Sequence, residues 1–475
     1  MTNSDRRLGP SVPSTLEAPA LPAEAPLREA TERSLRFLRS LDERRVSPTL
    51  NDIQGLDALD GALPEAGQDP RRVIEILDDR GSPAAVGCAG GRYFGFVIGS
   101  ALPAALAANW LAGAWNQNTA FFGASPVAAR LEEIALRWSR DLLQLPAGSE
   151  GAFVTGATMA NFTGLAAARH TVLANVGWDV EELGLAGSPP ITVVVGEEAH
   201  ASLLKAVSML GLGRGRVLRV SVDSQGRMRA DAIPPLTTPA IVCVQAGNVN
   251  SGAFDPIGEI STRVKSAGAW VHVDGAFGLR ASVAPKRRYL TAGVELADSW
   301  ATDGHKWLNV PYDSGLVFVR NPPDLLASMS IGPAAYLVKS DRREPSHFTP
   351  ELSRRARGVD TWAAIQSLGR RGLAELVERT CAFATRFAEG LHAAGYEILN
   401  EVELNQVLVA FGDDDATARV IAGVQEDGTC WCGGTRWHGR SAMRISVSSW
   451  ATTQDDVDRS LAAILRIADR TRLRS

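Results

Sequence analysis

Residues 269–319, AWVHVDGAFGLRASVAPKRRYLTAGVELADSWATDGHKWLNVPYDSGLVFV, hold three short apolar runs. AWVHVD (269–274), SWAT (299–302) and GLVFV (315–319) carry β-branched and aromatic residues without an alternating polar face, which is the pattern of strands covered on both sides. The same texture extends upstream. AFVT (152–155), ITVVVG (191–196), RVLRV (216–220) and AIVCVQ (240–245) read as strands, with helical segments at 161–174 and 200–210 between them. Strands alternating with helices predict an α/β unit built on a mostly parallel sheet.

On either side of that unit the pattern changes. Residues 1–25 are rich in Pro and Ala and lack the apolar core of a signal peptide, so they read as a mobile arm. Residues 26–90 form a helical appendage: one helix begins near Pro26 with Leu35, Leu38 and Leu41 near one face, and a shorter one covers 71–79. The α/β unit spans 91–358. A smaller α+β domain, 359–475, opens with a long helix (361–394) and closes with an amphipathic one (453–472).

Composition excludes several classes. The 475 residues are 45% apolar and 21% charged, with 49 basic and 53 acidic side chains and a formal charge of −4. No basic block offers a footprint for nucleic acid or an anionic membrane. Five scattered cysteines suit a reducing, cytoplasmic setting. The uncharged run 93–129 is broken by Pro103, Asn109 and Asn116–Asn118, so it reads as a buried helix at a subunit or active-site interface and not as a membrane span. No metal set is apparent: CWC (430–432) lacks the two-residue spacer of metal and redox pairs. GLGRGR (211–216) follows a helix and precedes a strand, the reverse of a dinucleotide fingerprint.

Only five of the 49 basic residues are lysine. Arginine replaces lysine freely here, yet it cannot act as an amine nucleophile, so a lysine at the end of a strand invites a chemical reason. Lys306, between His305 and Trp307, can form an imine; the plainer reading is an ion pair with Asp303 or Asp313. Asp274 ends a strand where α/β sheets bind ligands, although a turn cap is the commoner task for such an Asp. TGATMAN (155–161), between a strand and a helix, offers N–H groups and a hydroxyl to a phosphate. His200 stands at a helix start, as a cap or as a ring able to stack on another. A lysine that holds an aldehyde and an acid that pairs with a pyridine nitrogen make a cofactor constellation.

The run from Ser299 to Arg320 resembles the lysine-site signature of the group II pyridoxal-phosphate decarboxylases (glutamate, aromatic amino acid and tyrosine decarboxylases). Ser299, Trp300, Lys306, Trp307, Leu308, Tyr312, Val317 and Arg320 fall in register, and Ser314 departs from it. HVDGAF (272–277), EEAHAS (197–202), TGATMAN and GRYFGF (91–96) follow in the family's order. The resemblance implies a fold-type I enzyme that acts on an L-amino acid by Cα decarboxylation through a quinonoid intermediate. Pyridoxal 5′-phosphate would be held by Lys306, with Asp274 on the ring nitrogen, Ala276 beneath the ring and His200 stacked above it. Ala157 and Thr158 would bind the phosphate, and His305 would sit by the phosphate or the substrate carboxylate. Asp303 stands where many members have Asn, and Gln245 replaces a Thr near the cofactor's 3′ oxygen. Tyr93, Phe94 and Phe348 would line the substrate pocket, with Arg444 at a substrate carboxylate. The family also implies a homodimer with active sites at the interface.

One departure bears on the reaction. Members commonly carry a proton-donating tyrosine on a loop that corresponds to 338–358; this stretch has none, with Tyr336 before it and His347 and Phe348 inside it. Decarboxylation coupled to oxidative deamination, giving an aldehyde, is therefore an alternative, as is β-elimination from a cysteine S-conjugate.

Overall fold

A computed structural model describes residues 23–330 and 342–473. Most of the N-terminal arm, together with Tyr336, lies outside the described residues. The chain divides into two compact units, Met1–Ser40 with Pro48–Ala85, and Leu41–Ser47 with Val86–Ser475.

The first unit is helical: α1 (Glu24–Ser40), α2 (Leu50–Gln54) and α3 (Pro70–Ala84). Asp69 caps α3 through the Arg71 and Arg72 N–H groups, and Thr49 with Asp52 forms a capping box on α2. None of the three helices buries a residue. Ion pairs instead tie α1 to α3, Arg33 to Asp78 at 2.8 Å and Glu29 to Arg71 at 3.0 Å.

The second unit begins with α4 (Pro103–Trp115) and α5 (Pro126–Leu142), then alternates: β1 (Glu150–Val154), α6 (Ala157–Ala174), α7 (Val180–Leu183), β2 (Thr192–Gly196), α8 (Ala201–Met209), β3 (Leu218–Val220), β4 (Ala240–Gln245), α9 (Ile257–Lys265), β5 (Trp270–Asp274), β6 (Ser299–Asp303), β7 (Gly315–Val319) and α10 (Pro322–Met329). The seven strands form one sheet in the order β1-β7-β6-β5-β4-β2-β3. β3, β2, β4, β5 and β6 run parallel, and β7 is antiparallel to both of its neighbours. Every residue of β4 to β7 is buried, as their unbroken apolar runs require. One face packs Trp300, Phe318, Val242 and Val244 into the larger core; the other packs Ala301, Val317 and Val195 against α6 and α8.

α11 (Arg357–Ala393) leads into β8 (Glu397–Ile398), β9 (Gln406–Ala410), α12 (Asp414–Asp427), β10 (Gly433–Trp437), β11 (Arg440–Ser446) and α13 (Gln454–Arg472). The four strands make an antiparallel sheet, order β10-β11-β9-β8, over a second core that includes Phe387, Val407, Ile445 and Ile464.

One expectation changes: the long helix starts four residues early and is interrupted at Gly369 (φ 59°), a left-handed conformation that only glycine adopts cheaply. The helix expected at a subunit or active-site interface within 93–129 is α4; in the single chain it buries only Ala105 and leaves Trp110, Leu111 and Trp115 at 42%, 55% and 41% exposure, an open apolar face.

Candidate active site

The residues that carry chemistry gather at the C-terminal edge of β4, β5 and β6. Lys306 sits three residues beyond β6, and residues 307–309 pin its backbone. Trp307 and Leu308 are buried in the larger core, and the Trp307 indole N–H donates to Thr380 Oγ1 of α11 at 3.0 Å. Two such side chains fix the segment by a few kcal/mol. Asn309, left-handed at φ 57°, donates to the Trp307 and Ser448 carbonyls while its Oδ1 accepts from Ser100 and Trp450 N–H. A Cβ on Gly99 would lie 1.8 Å from the Lys306 carbonyl oxygen, so only glycine lets that segment cross here.

The Lys306 Nζ reaches Asp303 Oδ2 at 2.8 Å, so the ion pair read as its plainer role exists, with Asp303 and not Asp313. Asp303 is 1% exposed and its Oδ1 has no hydrogen-bond partner among the described residues. His305 Nε2 lies 3.6 Å from that Oδ1, while its Nδ1 accepts from the Ser314 N–H, which puts the proton of the neutral ring on Nε2. Burial pushes the His305 pKa down, with Asp303 acting the other way. The ring stacks on Tyr312 with centroids 4.4 Å apart.

Asp274 ends β5 and is 4% exposed. It accepts from Asn161 Nδ2 at 3.1 Å and from the Ala276 N–H at 3.3 Å, and no cation pairs with it among the described residues. It thus caps its turn and still keeps acceptor capacity. Ala276 hands its carbonyl to the Asp303 N–H, which docks the turn after β5 onto the end of β6.

Opposite them, the turn after β1 enters α6 through Gly156, with Ala157 and Thr158 in the first helical turn. A Cβ on Gly156 would sit 3.1 Å from the His305 ring, and a Cβ on Gly315 only 2.5 Å from the Gly156 Cα. Small residues are what bring these N–H groups to the site.

His200 is the N-cap of α8, its Nδ1 accepting from the Ser202 N–H. Its ring is open to solvent, yet burial of its surroundings lowers its pKa; Asp274 and Asp303 oppose that, and Lys306 and Arg444 add to it. The charges of these four groups thus all act on one imidazole. Gln245, at the end of β4, donates its amide to the Glu198 carbonyl at 3.0 Å. Arg444 donates to Asn250 Oδ1 at 3.2 Å, and Tyr93 stacks on Trp431 with centroids 5.1 Å apart.

Two residues expected in the substrate pocket lie elsewhere. Phe94 is 1% exposed and packs edge-on against Phe387 in the smaller core. Phe348 lies under the Arg343 guanidinium at 4.4 Å, and Arg343 binds the Gly151 carbonyl near the start of β1. That is the far end of the strand, on the order of 10 Å from the lysine edge. Conversely, Asn161, His272 and Ser299 join the site although the sequence suggested no role for them; their signal was their place inside the TGATMAN, HVDGAF and lysine-site motifs.

A buried acceptor without a cation, an amine three residues past a strand and a side-chain-free helix entry fit pyridoxal phosphate: Asp274 for the ring nitrogen, Lys306 for the aldehyde, and the start of α6 for the phosphate.

Comparison with known proteins agrees. Residues 66–412 match the pyridoxal-dependent decarboxylase conserved domain. The chain is 26% identical over 393 residues to an aromatic-L-amino-acid decarboxylase of Bacillus atrophaeus, covering 80% of this chain and 79% of the relative. It is 28% identical over 359 residues to the human acidic amino acid decarboxylase GADL1, covering 73% and 68%. The fold is shared with Oryza sativa TDC bound to PLP and tryptamine (TM-score 0.87, 22% identity, 96% of this chain and 99% of the other). It is also shared with a Rhodiola rosea 4-hydroxyphenylacetaldehyde synthase (TM-score 0.82, 20% identity, 94% and 98%). The chain belongs to the pyridoxal-dependent decarboxylase family, an amino-acid carboxy-lyase family whose cofactor is pyridoxal 5′-phosphate.

Proposed function

We propose that this protein removes the α-carboxylate of an L-amino acid, in the cytoplasm, as a homodimer with its active sites at the subunit interface. The observation that carries the reading is the convergence of Lys306, Asp303, Asp274 and His200 at one sheet edge. When bound, the cofactor supplies an aldehyde for an amine and a protonated ring that accepts the electron pair left by the departing carboxylate. Lys306 would hold that aldehyde, with Asp303 keeping its amine in place. Asp274 would pair with the ring nitrogen. Ala157 and Thr158 would hold the phosphate at the start of α6, Ala276 would pack against the ring and Gln245 would stand by its oxygen substituent. His200 would stack on the ring, with its Nε2–H available as a proton donor. His305 would stand by the phosphate or the substrate carboxylate, Arg444 by a substrate carboxylate, and Tyr93, backed by Trp431, would border the side chain of the substrate.

The cytoplasmic setting is supported by five cysteines that are all free, and the dimer by the open apolar face of α4. Among the described residues no helix is long and apolar enough to cross a membrane.

A second reading, decarboxylation with oxidative deamination, is favoured by one observation: residues 342–358 contain no tyrosine, and Phe348 packs against Arg343. The test is incubation of the cofactor-loaded enzyme with a panel of L-amino acids in air. Amine and CO2 in equal amounts support simple decarboxylation. Aldehyde with CO2, ammonia and peroxide, at the expense of O2, supports the second reading. Ammonia and a keto acid without CO2 mean β-elimination and overturn both.

A further inference from the structure

Behind Asp274 runs a chain of buried hydrogen bonds. The Trp270 indole N–H donates to Ser299 Oγ at 2.8 Å, Ser299 Oγ meets His272 Nδ1 at 2.8 Å, His272 Nε2 meets Asn161 Oδ1 at 3.0 Å, and Asn161 Nδ2 donates to Asp274 Oδ2 at 3.1 Å. Ser299, His272 and Asn161 are 0% exposed. The chain links the two ends of β5, about 13 Å apart, by way of β6 and α6. α6 approaches this closely because position 164 is glycine: a Cβ there would lie 2.9 Å from His272 Cε1.

The direction of the chain is set by its ends. Trp270 can only donate and an ionised Asp274 can only accept. The Ser299 hydroxyl has Trp270 and His272 as its partners, so its own proton has one acceptor in reach, His272 Nδ1. His272 must then carry its proton on Nε2 and give it to Asn161 Oδ1, which turns the Asn161 amide group toward Asp274. Run the other way, the chain would leave the Ser299 proton unpaired and set the Asn161 oxygen against the Asp274 carboxylate. Buried polar chains enforce such choices because each unpaired member is costly.

We propose that this relay holds Asp274 as an ionised, fixed acceptor for the ring nitrogen of the cofactor, making Ser299, three hydrogen bonds away, a positioning residue for the reaction. The proposal rests on Asp274 facing that nitrogen. It gives a reason for serine at position 299. Without the hydroxyl, His272 has no donor at Nδ1 and loses its preference between tautomers. In the fraction with Nε2 bare, the Asn161 oxygen faces Asp274, the ring-nitrogen proton moves to the carboxylate, and the ring is left neutral. The charge of Asp274 is felt by two titratable groups on neighbouring elements: it raises the pKa of Cys243 on β4 and opposes the lowering at His200 beside α8.

The experiment has two parts. Nitrogen-15 NMR of the histidine-labelled holoenzyme reads the His272 tautomer, assigned among the seven histidines by the signal lost in His272→Gln. A neutral ring protonated at Nε2 is expected, and the opposite tautomer overturns the relay. Nitrogen-15 in the cofactor ring then reports its protonation in wild type, Ser299→Ala and Ser299→Thr. Ser299→Ala should move that signal toward the neutral ring and weaken cofactor binding roughly tenfold, the effect of one lost buried hydrogen bond, with Ser299→Thr restoring both. A folded Ser299→Ala protein with unchanged nitrogen signal and affinity overturns the proposal. A neutral ring nitrogen in wild type overturns it through its premise, while product formation in the amino-acid panel would be read separately. Should Ser299→Ala not fold, the His272 tautomer alone decides.

Discussion

Lys306 Nζ lies 2.8 Å from Asp303 Oδ2, and the other oxygen of the same carboxylate faces His305 Nε2 at 3.6 Å without a hydrogen bond. One buried carboxylate therefore serves both residues next to the aldehyde-binding position. The ion pair fixes where the Lys306 amine stands, and attachment to an aldehyde requires that amine in position. Asp303→Asn should weaken cofactor attachment roughly tenfold, the effect of one lost charge-assisted contact, followed by the absorbance of the bound cofactor. Unchanged attachment would mean that the ion pair has no influence on the amine.

Gly315 bears on the phosphate end. Its missing Cβ is what lets β7 pass the Gly156 turn, since an added carbon would sit 2.5 Å from the Gly156 Cα. Backbone must move to admit it. Gly315→Ala should lower cofactor affinity at least roughly tenfold by shifting the N–H groups of Ala157 and Thr158, a change of about 1.4 kcal/mol in binding. Equilibrium dialysis measures it, and wild-type affinity would show that the turn gives way freely.

His272 makes a prediction about acid stability. Complete burial lowers its pKa to about 3, from 6.5 in the unfolded chain. Between those values the unfolded state binds the proton and the folded state does not, so this residue's part of stability is intact above pH 6.5 and is lost as pH falls toward 3. The total is several kcal/mol. Urea denaturation of His272→Gln should show a shallower decline between pH 6.5 and 4 than wild type; parallel declines would mean that the ring is protonated in the fold.

Arg280 is 2% exposed, and Nε, Nη1 and Nη2 have no hydrogen-bond partner among the described residues. Burial lowers its pKa to about 10, with the charge of Asp303 opposing. A buried guanidinium this poorly paired costs more than an apolar side chain of similar length. Arg280→Met should raise stability by about 1–4 kcal/mol in chemical denaturation. A loss of stability would reveal a water or anion bound to the guanidinium.

Leu111 tests the dimer. It is 55% exposed on α4 between Trp110 and Trp115, and a charge there would be buried in any interface that covers this face. Leu111→Glu should sediment as a monomer where the wild type sediments as a dimer; an unchanged dimer would place the interface elsewhere.

Sequence alone was sufficient for the order of strands and helices, because an apolar run of five or six residues, or a 3.6-residue period, is a local property. It was equally sufficient to place Lys306, Asp274, His200 and the TGATMAN turn at strand ends and helix starts along one sheet edge, because chain position there sets what a side chain can reach. Phe94 and Phe348 show where that reasoning stops. An aromatic residue beside a site motif has the same local pattern whether it faces the pocket or the smaller core, and only packing against Phe387 or Arg343 decides. Apart from Trp270, the relay through Ser299, His272 and Asn161 to Asp274 lay within recognised motifs, yet its members are up to 138 residues apart in the chain and are joined by pairings that no local pattern encodes. The chemistry at the strand ends is thus written in the sequence; which buried atoms hold it in place is decided by three-dimensional packing, because hydrogen-bond partners are fixed by distance in space and not along the chain.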